Sequence, residues 1–88
     1  MATIKEALDL AIKHHQAGRL DAAARIYQEI LAHESRQADA WHLLGLVCYS
    51  RGQHAEAIEH IGRAIALDDS QASFHNHLAE AYLSSGRT

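Results

Sequence analysis

Eighty-eight residues with a net charge of −3 and 48% hydrophobic content suit one small folded domain, near the size at which a lone core is marginal. The eight lysines and arginines are scattered, so there is no basic stripe to displace phosphate counterions, and nucleic acid is not an expected partner. No apolar run approaches the ~20 residues of a membrane span. The start, MATIKEALDL, lacks the basic-then-apolar order of a signal peptide, and one cysteine cannot close an internal disulfide. The expectation is a soluble, cytoplasmic chain without membrane contact.

Proline is absent and no strand-favouring run of valine, isoleucine and threonine occurs, so the fold class expected is all-α. Thr3-Ile4-Lys5-Glu6 has the form of a capping box, which starts a first helix there. Ala7, Leu8, Ala11 and Ile12 follow at helical spacing, and Gly18 stops the run. A second helix spans about Asp21 to His33, before the polar break ESRQ. The third and fourth span about Ala38 to Arg51 and His54 to Leu67; DDSQ then breaks the chain. A fifth spans about Ala72 to Ser85.

These elements repeat. Gly18, Gly52 and Gly86 recur at intervals of 34 residues, and the same shift superposes Leu10, Leu44 and Leu78. It also superposes the small residues Ala11, Gly45 and Ala79, and pairs Ala23 with Ala57, Tyr27 with Ile61, Leu31 with Ile65 and Ala38 with Ala72. A fixed period in this range marks stacked helical pairs. Small residues let paired helices approach to the ~8 Å lower end of interaxial distance. Gly45 costs roughly 1 kcal/mol of helix propensity against alanine, so close packing is the reason expected for it. Trp41, Leu44, Ile58, Ile61 and Ile65 are the large residues expected to fill the seams around it.

At these positions the chain resembles the tetratricopeptide repeat family. Trp41-x-x-Leu44-Gly45-x-x-Cys48, then Gly52, Ala57 and Ile61, is similar to that family's W-x2-L-G-x2-Y pattern with its turn glycine, alanine and aromatic. The first copy reads Ala7-x-x-Leu10-Ala11-x-x-His14, and the third His75-x-x-Leu78-Ala79-x-x-Tyr82. The resemblance implies an α-solenoid of five helices, with repeats at about 4–37 and 38–71 and a partial repeat or cap at 72–88. It implies a piece of a longer array. Ser35 and Asp69 replace the usual closing prolines, which implies looser turns, and Ala7 stands where a bulky residue is usual. The segment from His14 to Val47 is also similar in wording to the N-terminal repeats of bacterial O-linked N-acetylglucosamine transferase-type proteins.

In such arrays the first helix of each pair lines a concave face. The resemblance assigns Lys5, Leu8, Asp9, Ile12 and His15 to that face from the first helix. From the third it assigns Asp39, His42, Leu43, Leu46 and Tyr49, and from the fifth Asn76, His77, Glu80 and Leu83. An apolar groove of this kind suits an amphipathic helix or extended peptide. For each of Leu8, Ile12, Leu46 and Tyr49 the competing role is to seal neighbouring helices. The lysine, asparagine and arginine clamp of chaperone-binding members is absent, since the matching places hold Leu8, Ile12 and Leu43. The asparagine ladder of the transferase arrays is absent too, with Asp9, Leu43 and His77 in its place. A face carrying Leu78, Tyr82 and Leu83 is expected to stay partly uncovered, which makes a homodimer a second reading.

Catalysis is not expected. Cys48 occupies an interior packing site, where thiols are usually inert, and Glu56 and Glu59 lie on an outer helical face. The eight histidines contain no pair three or four apart, the spacing that puts two zinc ligands on one helical face. One arrangement across helices remains, His42 with His75 and His77, and no metal or cofactor is expected. The functional expectation is a protein-interaction scaffold with a peptide or partner helix in its groove. The alternatives are self-association through the terminal helix, and a regulatory repeat arm of a glycosyltransferase.

Overall fold

The computed structural model describes residues 3–86, and these form five helices and no strand: α1 (Ile4–Gln16), α2 (Leu20–His33), α3 (Ala38–Ser50), α4 (His54–Leu67) and α5 (Ala72–Ser84). Thr3 is the N-cap of α1. Its backbone N–H donates to Glu6 Oε1 at 3.0 Å, and the Glu6 N–H donates to Thr3 Oγ1 at 3.1 Å, closing the expected capping box. Hydrogen bonding to the Glu6 carboxyl from Thr3, first from its backbone N–H and then from its side chain, holds that carboxyl below its usual range. The start of α2 is Leu20 instead of Asp21, and α3 and α5 end one residue early, at Ser50 and Ser84.

The turn glycines act through backbone geometry. Gly18 and Gly52 have φ of 82° and 77°, a left-handed conformation that a side chain disfavours. At the second turn the Gly52 N–H donates to the Tyr49 carbonyl at 3.0 Å and the Gln53 N–H to that of Cys48 at 2.9 Å. Gly18 and Arg19 repeat this with His15 and His14, so each hairpin closes with a Schellman motif.

The links between hairpins are not loose, contrary to the expectation from their missing prolines. Glu34 Oε1 accepts from the Arg36 N–H at 3.1 Å. Asp68 accepts from the Ser70 hydroxyl at 2.6 Å, the Ser70 N–H at 3.1 Å and Gln71 Nε2 at 3.3 Å. Side-chain carboxylates pin these turns instead of a fixed proline φ. The Trp41 indole N–H donates to the Ser35 carbonyl at 2.8 Å, and His75 Nε2, 34 residues on, donates to the Asp69 carbonyl at 3.1 Å. Histidine thus substitutes for the donor of tryptophan.

Packing follows the repeat register. At Gly45 a Cβ would lie 2.6 Å from Ile61 Cγ1 and 3.3 Å from the Ala57 carbonyl oxygen, so α3 and α4 meet almost backbone to backbone. Ala11 is fully buried at the matching place of the first hairpin, whereas Ala79 is exposed on α5. One core cluster joins Ala11, Ala23, Ala24 and Tyr27 to Leu44 and Val47 across the hairpins; another joins Cys48 and Ala57 to Ala81. Of the expected seam residues, Leu44 and Ile61 are buried, and Trp41, Ile58 and Ile65 are half-buried. Helices pack on neighbours in sequence, with a lighter contact of α3 on α5, giving a body of 43 × 27 × 19 Å.

Candidate functional site

The first helix of each hairpin and α5 present one side to a common trough of about 390 Å³. From α1 come Lys5, Leu8, Asp9 and Ile12; from α3, Asp39, His42 and Leu43; from the start of α5 and its N-cap, Gln71, Ser73 and Phe74. Leu8, Ile12, Leu43 and Phe74 make the lining apolar. Lys5 and the carboxylates Asp9 and Asp39 add charges of both signs.

Seven of the fourteen groove residues expected from the sequence thus come together: Lys5, Leu8, Asp9, Ile12, Asp39, His42 and Leu43. His15 and Leu46 are half-buried outside the trough, and Asn76 and Glu80 are exposed on α5. Tyr49 is engaged elsewhere. Its hydroxyl and the Ser84 hydroxyl share a hydrogen bond of 2.7 Å, and its ring meets His54 edge-on at 5.6 Å. Tyr49 therefore ties α3 to α5, the sealing role weighed against a binding one. Sequence reasoning missed Gln71, Ser73 and Phe74. The period offered Ser73, which lies 34 residues after Asp39 and 68 after Lys5. Phe74 falls on the register of the buried Ala40, which gave no hint of an aromatic lining the trough.

His42 is a buried polar group in the trough wall. It is 8% exposed, stacks on His77 with centroids 4.9 Å apart, and meets the Phe74 ring at 4.4 Å. His42 Nε2 and His77 Nδ1 share a hydrogen bond of 2.7 Å, which gives this buried ring nitrogen a partner. Burial, and then the charge of His77, push the His42 pKa down to about 4, so its ring is neutral at physiological pH. His75 points to Asp69 instead, so the His42, His75 and His77 trio does not assemble as a metal site.

A second, smaller cleft of about 270 Å³ lies at Ala7, lined by Thr3, Ile4, Ile26, Glu29, Ile30 and His33. In the second hairpin the matching space holds Trp41, which packs on His60 at 5.5 Å and lies under the Arg63 guanidinium at 5.1 Å. The cleft is the space left by alanine in a tryptophan's register. On α5, Leu83 is 71% and Tyr82 40% exposed, and Leu78 is half-buried. No helix among the described residues is long and apolar enough to cross a membrane.

A family model described as TPR repeat matches residues 45–86. No curated protein matches in sequence. Among solved structures, the type III secretion translocator chaperone SycD of Yersinia enterocolitica, in an alternative dimer, superposes with a TM-score of 0.90 at 24% identity, over 96% of this chain and 64% of that one. A mutant O-GlcNAc transferase of Thermobaculum terrenum gives 0.93 at 32% identity, over 99% of this chain and 18% of that one. MamA gives 0.88 at 26% identity, over 96% and 49%. The chain therefore spans less than two thirds of each of these proteins. The TPR repeat match over residues 45–86 and the five-helix fold together show tetratricopeptide-type helical repeats in this chain.

Proposed function

We propose that the chain is a non-enzymatic interaction scaffold, working as two repeats and a part repeat, that holds a peptide or partner helix in the trough between α1, α3 and α5. The observation that carries this reading is the trough itself. Leu8, Ile12, Leu43 and Phe74 converge from three helices on one open space, where Lys5, Asp9 and Asp39 also stand. An amphipathic helix fits such a lining, burying its apolar stripe on the leucines and phenylalanine while its charged flanks meet the lysine and aspartates. A cytoplasmic setting belongs to this reading. Peptides selected by display on the intact chain test it. They are expected to shift the amide resonances of Leu8, Ile12 and Leu43 and to lose at least tenfold in affinity, about 1.4 kcal/mol, for Leu43→Glu. Selected peptides that bind Leu43→Glu as well as the wild type, on a variant with unchanged circular dichroism, refute it.

Self-association is the second reading, favoured by the exposure of Tyr82 and Leu83 beside the uncovered Ala79 on α5. Burying such a patch against a second copy would remove apolar surface from water. Sedimentation of the free chain separates the two readings, since a dimer forms without peptide and is broken by Leu83→Glu. The 32% identity to part of the Thermobaculum O-GlcNAc transferase supports a third, in which the repeats form the regulatory arm of a glycosyltransferase.

A further inference from the structure

Away from the trough, three metal-ligating side chains converge between α3 and α4. Cys48 from α3 and Glu56 and His60 from α4 bring one ligand atom each within 4.8 Å of one another. Glu56 and His60 are four residues apart, so they share a helical face. Cys48 reaches them because Gly45, one turn earlier, lets α3 close on α4. His60 Nδ1 is buried and has no hydrogen-bond partner among the described residues. The Trp41 ring, 5.5 Å from that of His60 and tilted by 38°, holds the imidazole in place.

We propose that Cys48, Glu56 and His60 form a zinc site. Thiolate, imidazole and carboxylate are the three donor types that zinc accepts, and three protein ligands leave a fourth position for water or an added ligand. Tetrahedral zinc with bonds of about 2.0–2.3 Å sets its ligand atoms about 3.5 Å apart, so a cluster whose atoms lie within 4.8 Å of one another closes on the ion by small side-chain adjustments. The thiolate and carboxylate carry two negative charges against the two positive charges of the ion. Burial, and then the charge of Glu56, raise the Cys48 thiol pKa, so binding exchanges the thiol proton for zinc and releases it to solvent. Burial also lowers the His60 pKa, which keeps the imidazole in its neutral, ligating form. The ion would staple the start of α4 to the C-terminal half of α3 and stiffen the second hairpin.

Titration of the reduced chain with Co2+, followed by displacement with Zn2+, tests this. One equivalent of cobalt is expected to give a thiolate-to-cobalt charge-transfer band together with the visible absorption of a tetrahedral site, and zinc is expected to abolish both. Cys48→Ser removes the band and lowers zinc affinity by more than the roughly 10–100-fold that follows loss of an outer-shell partner. Glu56→Gln weakens binding at an exposed position that leaves the fold intact. Zinc is also expected to slow alkylation of Cys48 and to raise the melting temperature of the wild type but not of Cys48→Ser. Cobalt binding without a thiolate band, or equal zinc affinity for the wild type and Cys48→Ser, would assign the metal to the scattered histidines and overturn the proposal.

Discussion

The two helix-interior glycines, Gly45 and Gly62, should respond to alanine with opposite signs. In each case alanine relieves the entropic cost of glycine, worth about 0.5–1 kcal/mol. Around Gly62 nothing lies within 4 Å of a built Cβ, so Gly62→Ala should keep that gain whole. At Gly45 the new methyl would sit 2.6 Å from Ile61 Cγ1 and 3.3 Å from both the Ala57 carbonyl oxygen and the Ile61 nitrogen. Those atoms belong to a fully buried side chain and to helix backbone, so relief requires α4 to move away. Overpacking of this kind costs about 1–3 kcal/mol, and the close approach points to its upper half. Net of the propensity gain, Gly45→Ala should lose about 1–2 kcal/mol. For a domain of this size, each kcal/mol moves the melting temperature by about 4–8 °C. Thermal melts and urea titrations followed by circular dichroism read both variants directly. A Gly45→Ala protein as stable as the wild type, or two shifts of the same sign, would refute the close-approach account.

Stability should also fall in acid through His42. Its folded pKa is depressed to about 4 from the usual 6.5, so the unfolded chain takes up the proton first. The stabilisation is fully present above about pH 6.5 and is lost as pH falls towards about 4, by about 3 kcal/mol. His15 and His60, depressed by burial, act in the same direction. Urea titrations across that window should show the slope, and His42→Leu should flatten it; a wild type with no slope refutes the assignment. In the first hairpin, Ala7→Trp should fill the cleft over Ile26 and Ile30 and raise stability by about 1–2 kcal/mol. A melting temperature unchanged or lowered would show that the two hairpins do not share a register there.

The helices were legible because their signals are local. Thr3 and Glu6 meet within one turn, and Gly18 and Gly52 each close a hairpin through bonds to the last turn of the preceding helix. The trough was legible where the period carries it, through Lys5 and Asp39, and through Leu8 and His42. It was illegible where the rotation of a helix decides. Tyr49 stands at a groove register yet turns its hydroxyl to Ser84, and Phe74 replaces a small core residue with a ring that reaches the trough. The Cys48, Glu56 and His60 cluster does not show in the spacings between histidines. Two of its members share a helix face, but the third depends on how closely α3 and α4 approach.

Packing that passes from each helix to its neighbour in sequence, with a lighter contact of α3 on α5, bears on how the chain folds. The extensive contacts are short in sequence, so little loop-closure entropy opposes them, and assembly can start at any hairpin and zip outward. Protection against hydrogen exchange should then be graded. It should be deepest where α3 lies against α4 and should decline through α1 and α5, so that a partner bound across the trough would cooperate with the outer helices by suppressing their fraying.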